Sequence, residues 1–211
     1  MGTSPRLASM SPQTIRDAVA DRYGQVATDP TGDFNFPVGR DFALAIGYPQ
    51  ALLDALPAAA SRSFAGVTCY HGRLSAHHGR TAAQPGETVL DLGCGAGLDA
   101  ILAARAVGPA GQVIAVDNAP AMVALARDNA AAAGATNLRV EEAAIEALPL
   151  ADASVDMVQS NGVFNLSPEK DRAVAEVWRV LKPGGRLIAA EIALHEAIAD
   201  ADRATLQDWF R

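Results

Sequence analysis

A glycine-rich stretch that begins with an acid, DLGCGAG at residues 91–97, has the clearest potential for chemistry in this sequence. Glycine permits positive φ angles and lets a ligand approach the backbone closely. A dinucleotide fingerprint, G-x-G-x-x-G, needs a glycine at the position where this chain has Leu98. The carboxylate of Asp91 would repel a pyrophosphate, whereas it can accept a hydrogen bond from an ammonium group. The turn therefore favours an amino acid joined to a nucleoside over a dinucleotide.

A second acid, Asp117, directly follows the apolar run 112–116 and stands twenty residues after Gly97. In nucleotide-binding α/β units, an acid at this place accepts hydrogen bonds from the ribose hydroxyls. We therefore expect Asp117 to bind the two ribose hydroxyls of the same ligand.

The candidates for catalysis cluster in a polar segment without clear periodicity, residues 61–80. We expect this segment to cap the active site and His71 to remove a proton from the acceptor, a step needed only when the acceptor carries a proton at neutral pH. The alternative is that these polar residues face water in a long loop. Two weaker candidates lie near the end of the last predicted strand: His195, and Glu191, which could orient an acceptor or close a polar network. The cluster itself comprises Cys69, Tyr70, His71, His77 and His78.

Strands and helices alternate from about residue 85 to residue 191. Such alternation is typical of parallel strands joined by right-handed crossovers. The sequence therefore predicts an α/β fold: a Rossmann-like, open and mainly parallel sheet with helices on both faces. The predicted strands are 88–92, 112–116, 138–142 at an edge, 155–159 and 186–190, and the predicted helices are one that ends near 107, then 121–133 and 171–181.

The first part of the chain, residues 1–84, predicts a small helical and irregular lobe that caps the core formed by residues 85–211. Ser11 and Pro12 supply an N-cap and a first-turn proline for a helix that we expect to end at Gly24. A short helix is expected near residues 49–56. The last twenty residues have the apolar spacing of another helix.

Composition limits the kinds of partner. Half of the 211 residues are hydrophobic, 19% are charged, and the net charge is −7, so the chain is globular and carries no basic cluster for nucleic acid. No apolar run approaches the roughly 18–20 residues of a membrane span. Its two cysteines supply neither a disulfide framework nor metal-ligand spacing. We therefore expect a cytoplasmic protein with a small-molecule partner, without bound metal, nucleic acid or membrane.

Three stretches, VLDLGCGAG, VIAVDNAPAMVALAR and RVLKPGG, resemble class I S-adenosylmethionine-dependent methyltransferases in order and spacing. SNGVFNLSPEK at 160–170 and FNFPVGRDFALAIGYPQALLDALP upstream resemble the arsenite methyltransferase-like branch, and the similarity extends back to about residue 23. The resemblance implies S-adenosyl-L-methionine as cofactor and S-adenosyl-L-homocysteine as product. It also implies methyl transfer by in-line displacement to an O, N, S or C nucleophile of a small molecule.

The resemblance also implies roles for individual residues. Asp91 and the glycines would hold the methionine part of the cofactor, and Tyr23 would close over it from the lobe. Asn118 and Met122 would flank the adenine. Ser160 and Asn161 would line the methyl-transfer site. Asn161, His71 and Cys69 are the catalytic candidates. The implied cofactor-binding residues are Tyr23, Asp91, Gly93, Cys94, Gly95, Gly97, Asp117, Asn118, Met122, Ile145 and Ser160.

The chain departs from the branch at two places within the resemblance. Ala143 and Ala144 replace the glycine and the aspartate that accepts from the adenine amino group, while the backbone N–H of Ile145 can still bond the ring. The loss of such a hydrogen bond costs about 0.5–1.5 kcal/mol, which weakens binding without abolishing it. Gly162 stands where arsenite methyltransferases carry a cysteine, so the arsenic-binding cysteines are not matched.

The usual C-terminal β-hairpin of this fold has no counterpart in the residues after Glu191. The exposed edge of the fifth strand would then be covered by a homo- or hetero-oligomer partner, by the C-terminal helix or by the lobe, or the chain is a truncated form. Three other functions stay open: an arsenite or metalloid methyltransferase, an NAD-linked oxidoreductase, and a non-catalytic cofactor-binding subunit of a hetero-oligomer. Leu98 and Asp91 argue against the oxidoreductase.

Overall fold

The computed structural model describes residues 10–69 and 82–193. Five strands form one sheet in the order β3-β2-β1-β4-β5, and every pairing between neighbours is parallel. The predicted open parallel sheet is confirmed, with β3 at an edge as expected. The strands are β1 Thr88–Leu92, β2 Gln112–Asp117, β3 Leu138–Glu142, β4 Val155–Asn161 and β5 Leu181–Ala190.

Helices precede the sheet and connect its strands. The helix from Pro12 is N-capped by the Ser11 hydroxyl, which accepts from the Thr14 N–H at 3.1 Å, as the sequence predicts. A single 3₁₀ turn, Phe164–Leu166, follows β4. The helices are α1 Pro12–Thr28, α2 Arg40–Ala45, α3 Gln50–Asp54, α4 Ala58–Arg62, α5 Leu98–Val107, α6 Pro120–Ala132 and α7 Lys170–Val180.

Side chains alternate across the sheet and build a core on each face. Val89 and Val113 belong to the cluster that packs against α5 and α6. Leu90 and Ile114, one residue further along the same strands, belong to the cluster that packs against α7. Successive strand residues point to opposite faces, so both faces of this sheet must be covered by helices.

The expected end of α1 at Gly24 is wrong, because the helix continues for four more residues to Thr28. Glycine is tolerated inside this helix where α1 packs on α6: a Cβ on Gly24 would lie 3.9 Å from the Cβ of Ala121. That distance is an ordinary van der Waals contact, so the packing does not require glycine at position 24, and the helix ends instead at Asp29, whose N–H donates to the Gln25 carbonyl at 2.8 Å.

The N-terminal lobe shares a core with α5. Tyr48, Leu53 and Phe64 are buried together with Leu98 and Ile101 of that helix. Since α5 begins at the glycine turn, this packing places the lobe directly beside the turn.

The last described strand, β5, is the edge of the sheet within residues 10–69 and 82–193. It is longer than predicted, because pairing with β4 begins at Leu181 rather than at Arg186. Leu187 on this strand is 38% exposed. The predicted C-terminal helix lies outside the described residues.

Candidate active site

A cleft opens at the carboxyl ends of β1, β2 and β4, where the strand order reverses between β1 and β4. Ligands of open α/β sheets bind at this kind of switch point. The cleft is lined by residues of both the lobe and the sheet unit.

The glycine turn forms one wall of the cleft, and its three glycines all have positive φ: +62° at Gly93, +51° at Gly95 and +86° at Gly97. A Cβ on Gly93 would lie 2.4 Å from a methyl carbon of Val163, so only glycine fits there. A Cβ on Gly95 would meet open space. The turn thus combines one tight contact with a surface that a ligand can approach closely.

Asp91 ends this wall with a buried carboxylate. Only 2% of the residue is exposed, and its Oδ2 has no hydrogen-bond partner among the described residues. Burial raises the pKa of Asp91 well above its usual range, and the nearby charge of Asp99 raises it further. A buried acceptor without a partner is costly in an empty site, so this atom fits a ligand that brings a donor, such as the ammonium group of an amino acid.

Asp117 holds the glycine turn to the end of β2. Its Oδ2 accepts from the Gly95 N–H and its Oδ1 from the Ala119 N–H, each at 2.9 Å. Burial raises the pKa of this carboxyl, while those backbone donors oppose the rise. Each carboxylate oxygen retains a lone pair, so Asp117 can still accept from two hydroxyl groups.

The wall expected to hold adenine contains Asn118, Met122 and Ile145, all of which line the cleft. Tyr23 of α1 lines it from the lobe side and stacks on Phe36 at 5.3 Å between ring centroids. Burial raises the pKa of Tyr23 well above its usual value, and the charge of Asp117 adds to this effect. Tyr23 therefore stays a neutral hydrogen-bond donor at physiological pH.

Three charged residues that sequence reasoning missed also line the cleft: Arg16, Asp99 and Glu146. Glu146 is 4% exposed, bonds the Ser167 hydroxyl, and lies 4.0 Å from the guanidinium of Arg16. It stands two residues after Ala144, in the stretch EEAAIEALP at residues 141–149, so its place in this stretch is the signal that could have found it.

The residues expected at the methyl-transfer site do not all line the cleft. Asn161 lines the cleft. Ser160 and Cys69 do not: Ser160 is fully buried in β4, and Cys69, 3% exposed, packs in the apolar cluster of the lobe. Neither residue is among those that line the cleft. His71, Tyr70, His77, His78 and His195 lie outside the described residues.

Cys94 and Glu191 have structural surroundings that define what they can do. Cys94 lines the cleft, but burial and the charges of Asp117 and Asp91 raise the pKa of its thiol well above the usual value, so it stays protonated. Glu191 accepts from the N–H groups of Val163 and Phe164 at 2.9 and 2.8 Å. Of the two roles expected for Glu191, orienting an acceptor or closing a polar network, these hydrogen bonds match the second.

No group of three or more His, Cys, Asp or Glu side chains within residues 10–69 and 82–193 lies close enough to hold a metal ion. No helix in the same ranges is both long and apolar enough to cross a membrane.

The family model described as a methyltransferase domain matches residues 83–211. This chain belongs to that methyltransferase domain family. The family and the relatives below confirm the resemblance to class I S-adenosylmethionine-dependent methyltransferases and to their arsenite methyltransferase-like branch. With the family come S-adenosylmethionine as cofactor and S-adenosylhomocysteine as product, as expected.

Individual relatives match different shares of the chain. An arsenite methyltransferase of Halobacterium salinarum is 39% identical over 197 residues, 88% of this chain and 49% of that protein. An arsenite methyltransferase of Aquipseudomonas alcaligenes is 40% identical over 119 residues, 53% of this chain and 34% of that protein. The crystal structure of an arsenic(III) S-adenosylmethionine methyltransferase from Chlamydomonas reinhardtii superposes with a TM-score of 0.59 and 32% identity, over 79% of this chain and 53% of that one. The chain thus spans about half or less of the length of these relatives.

Proposed function

We propose that this chain catalyses S-adenosylmethionine-dependent methyl transfer to a small-molecule acceptor. The observation that carries the proposal is the unpartnered, buried Oδ2 of Asp91 beside the glycine turn. A binding site for an amino acid and a nucleoside needs an acceptor for an ammonium group there, together with acceptors for two hydroxyls. Asp117 supplies the second requirement from the next strand.

The residues of the chain divide the work of binding. Asp91 binds the ammonium group, and Asp117 binds the ribose hydroxyls through the lone pairs that its two backbone bonds leave. Met122 and Ile145 provide apolar contacts for the adenine ring and exclude water. When bound, S-adenosylmethionine supplies an activated methyl group on a sulfonium. Orientation and exclusion of water then provide much of the acceleration.

The acceptor atom sets what else the chain must do. An O–H acceptor needs a general base, and His71 is our candidate for that role, whereas an amine or thiolate needs none. The proposal therefore covers O, N, S and C nucleophiles.

Methylation of arsenite is the second candidate function, because two curated relatives are arsenite methyltransferases. Trivalent arsenic is captured by several thiolates, and this chain has only Cys69 and Cys94. Both are buried, and the thiol of Cys94 is held in its neutral form. At the expected cysteine position stands Gly162, with a φ of +79°. These features favour a different acceptor.

The binding half of the proposal is tested by calorimetry with S-adenosylmethionine, S-adenosylhomocysteine and NAD. We expect the first two to bind and NAD not to bind; the reverse pattern would refute the proposed function. The transfer half is tested with methyl-labelled cofactor, a cell extract and, separately, arsenite. Label in an organic product supports the proposal, label in methylated arsenic supports the second candidate, and firm cofactor binding without any labelled product supports a non-catalytic subunit.

The proposed function also implies a domain organisation and a cellular location. Residues 1–84 form the lobe that caps the cleft, residues 85–211 form the cofactor-binding unit, and the protein works in the cytoplasm. We propose that a second copy covers the β5 edge, where Leu187 is 38% exposed. Light scattering after size-exclusion chromatography tests this: a dimer that Leu187→Lys dissociates supports it, and a monomeric wild type refutes it.

A further inference from the structure

The amide of Asn161 uses its full hydrogen-bonding capacity on the protein itself. Its Oδ1 accepts from the backbone N–H groups of Val67 and Thr68 at 2.8 and 3.1 Å. Its Nδ2 donates to the Thr68 carbonyl and to Oδ2 of Asp99, each at 2.9 Å. A side-chain amide has two acceptor and two donor positions, so none is left for a substrate. Because all four hydrogen-bonding positions of Asn161 are occupied by protein groups, its side chain acts by holding those groups in place.

What Asn161 holds is the lobe segment Gly66–Thr68. The two partners are 93 or 94 residues apart in the sequence, and Gly66 itself lines the cleft. The fit is close: a Cβ on Gly66 would lie 2.6 Å from Nδ2 of Asn161 and 2.7 Å from the ring of Phe64. Any side chain at position 66 would push the Asn161 amide away.

Two further buried side chains support this amide. Asp99, in the first turn of α5, accepts from Asn161 through Oδ2 and from the Tyr48 hydroxyl through Oδ1, the latter at 2.6 Å. Burial and the charge of Asp99 raise the pKa of Tyr48 well above its usual value, so the phenol remains a donor. Tyr48 is 2% exposed and packs edge-on against Phe64 at 5.1 Å. The lobe, α5 and β4 are thus joined through one buried polar chain.

We propose that Asn161 is a positioning residue that keeps the segment Gly66–Thr68 closed over the end of the cleft formed by Asp91 and Asp99. This deepens the proposed function and rests on it, because that end is the one assigned to the amino-acid part of the cofactor.

The first test measures the clamp without any ligand. In Asn161→Ala, the amide protons of Val67 and Thr68 lose their acceptor, so their hydrogen exchange, followed by NMR, should accelerate by about tenfold or more. Gly66→Ala disturbs the same contact from the lobe side and should give the same acceleration. Should that variant fail to fold, Tyr48→Phe, which removes one donor to Asp99, should give a smaller one. Asn165→Ala is the matched control, because that amide bonds the Ile192 carbonyl instead.

The second test uses two ligands that differ at the clamped end. S-adenosylhomocysteine carries the amino-acid part, whereas 5′-methylthioadenosine lacks it. In Asn161→Ala, we expect S-adenosylhomocysteine to dissociate about tenfold faster and methylthioadenosine to dissociate at the wild-type rate. Unchanged exchange at residues 67 and 68, or equal acceleration for both ligands, would overturn the proposal. A wild-type chain that binds neither ligand would refute the proposed function, while the exchange test would still decide whether the clamp exists.

Discussion

Replacing Asp91 by asparagine should weaken cofactor binding without weakening the fold. The substitution keeps the shape of the side chain and removes its charge. Because burial raises the folded-state pKa of Asp91 above its unfolded value, the stability of the empty protein falls as the pH rises from the unfolded pKa to the folded one, and the full cost of the charge persists above it. Asparagine removes this cost, so the melting temperature of the ligand-free variant should stay the same or rise.

The size of the binding loss follows from the burial of the carboxylate. Asp91 is 2% exposed, so an ammonium group bonded to Oδ2 is poorly screened by water. A hydrogen bond to a charged group is worth about 1.5–3 kcal/mol. At about 1.4 kcal/mol per factor of ten, the variant should bind S-adenosylmethionine about 10- to 150-fold more weakly.

The assay compares two ligands by calorimetry and records the melting temperature of each protein. Methylthioadenosine, which has no ammonium group, should bind the wild type and Asp91→Asn equally well. If the variant lost affinity for both ligands to the same extent, Asp91 would shape the glycine turn instead of binding an ammonium group. A melting temperature lowered by more than about 5 °C would likewise refute the reasoning, because it would mean that the charge of Asp91 stabilises the ligand-free fold.

Three further predictions concern the same cleft. An ammonium group favours the charged form of Asp91, so ligand binding below the raised pKa of Asp91 should release a proton. Affinity should therefore rise with pH until that pKa is passed. Calorimetry in buffers of different ionisation enthalpy measures the proton release, which should be smaller in Asp91→Asn. Asp117→Ala should weaken both S-adenosylmethionine and methylthioadenosine by about 10²-fold or more, because two charge-assisted bonds to hydroxyls are lost, and an unchanged dissociation constant would contradict the ribose assignment. His71→Ala should lower kcat for an O–H acceptor by about 10²–10⁴-fold and spare cofactor binding, with His77→Ala as control; equal rates for both variants would remove His71 from the mechanism.

The sequence predicts the parts of this molecule that depend on local pattern. The alternation of strands and helices predicts the parallel sheet, and β1 and β3 have the bounds expected from the sequence. The glycine turn and Asp117 reach the cleft because both follow strands directly, and the carboxyl ends of parallel strands meet at one edge.

The parts that the sequence does not predict depend on contacts between distant residues. Gly24 carries a local signal for a helix end, but packing of α1 against α6 outweighs it. Asp99 looks like an ordinary first-turn acid, and only the fold brings it to Tyr48, 51 residues away. Asn161 was expected to line the methyl-transfer site. The hydrogen bonds that occupy its amide come from the lobe and from Asp99, which are distant in the sequence. Such polar networks leave no periodic trace in a sequence.

The distribution of unsatisfied polar atoms distinguishes binding from support in this cleft. Asn161 and Asp117 both have their oxygens occupied by backbone donors, so their geometry is fixed before any ligand arrives. Asp91 is the exception among these cleft residues, since its Oδ2 is buried and lacks a partner. Its partner in strand register is Gln159 of β4, whose Nε2 is also unpartnered within the described chain. A ligand that donates to Asp91 lowers the cost of that arrangement, and cofactor binding should therefore stabilise the protein more than its contact area alone would suggest.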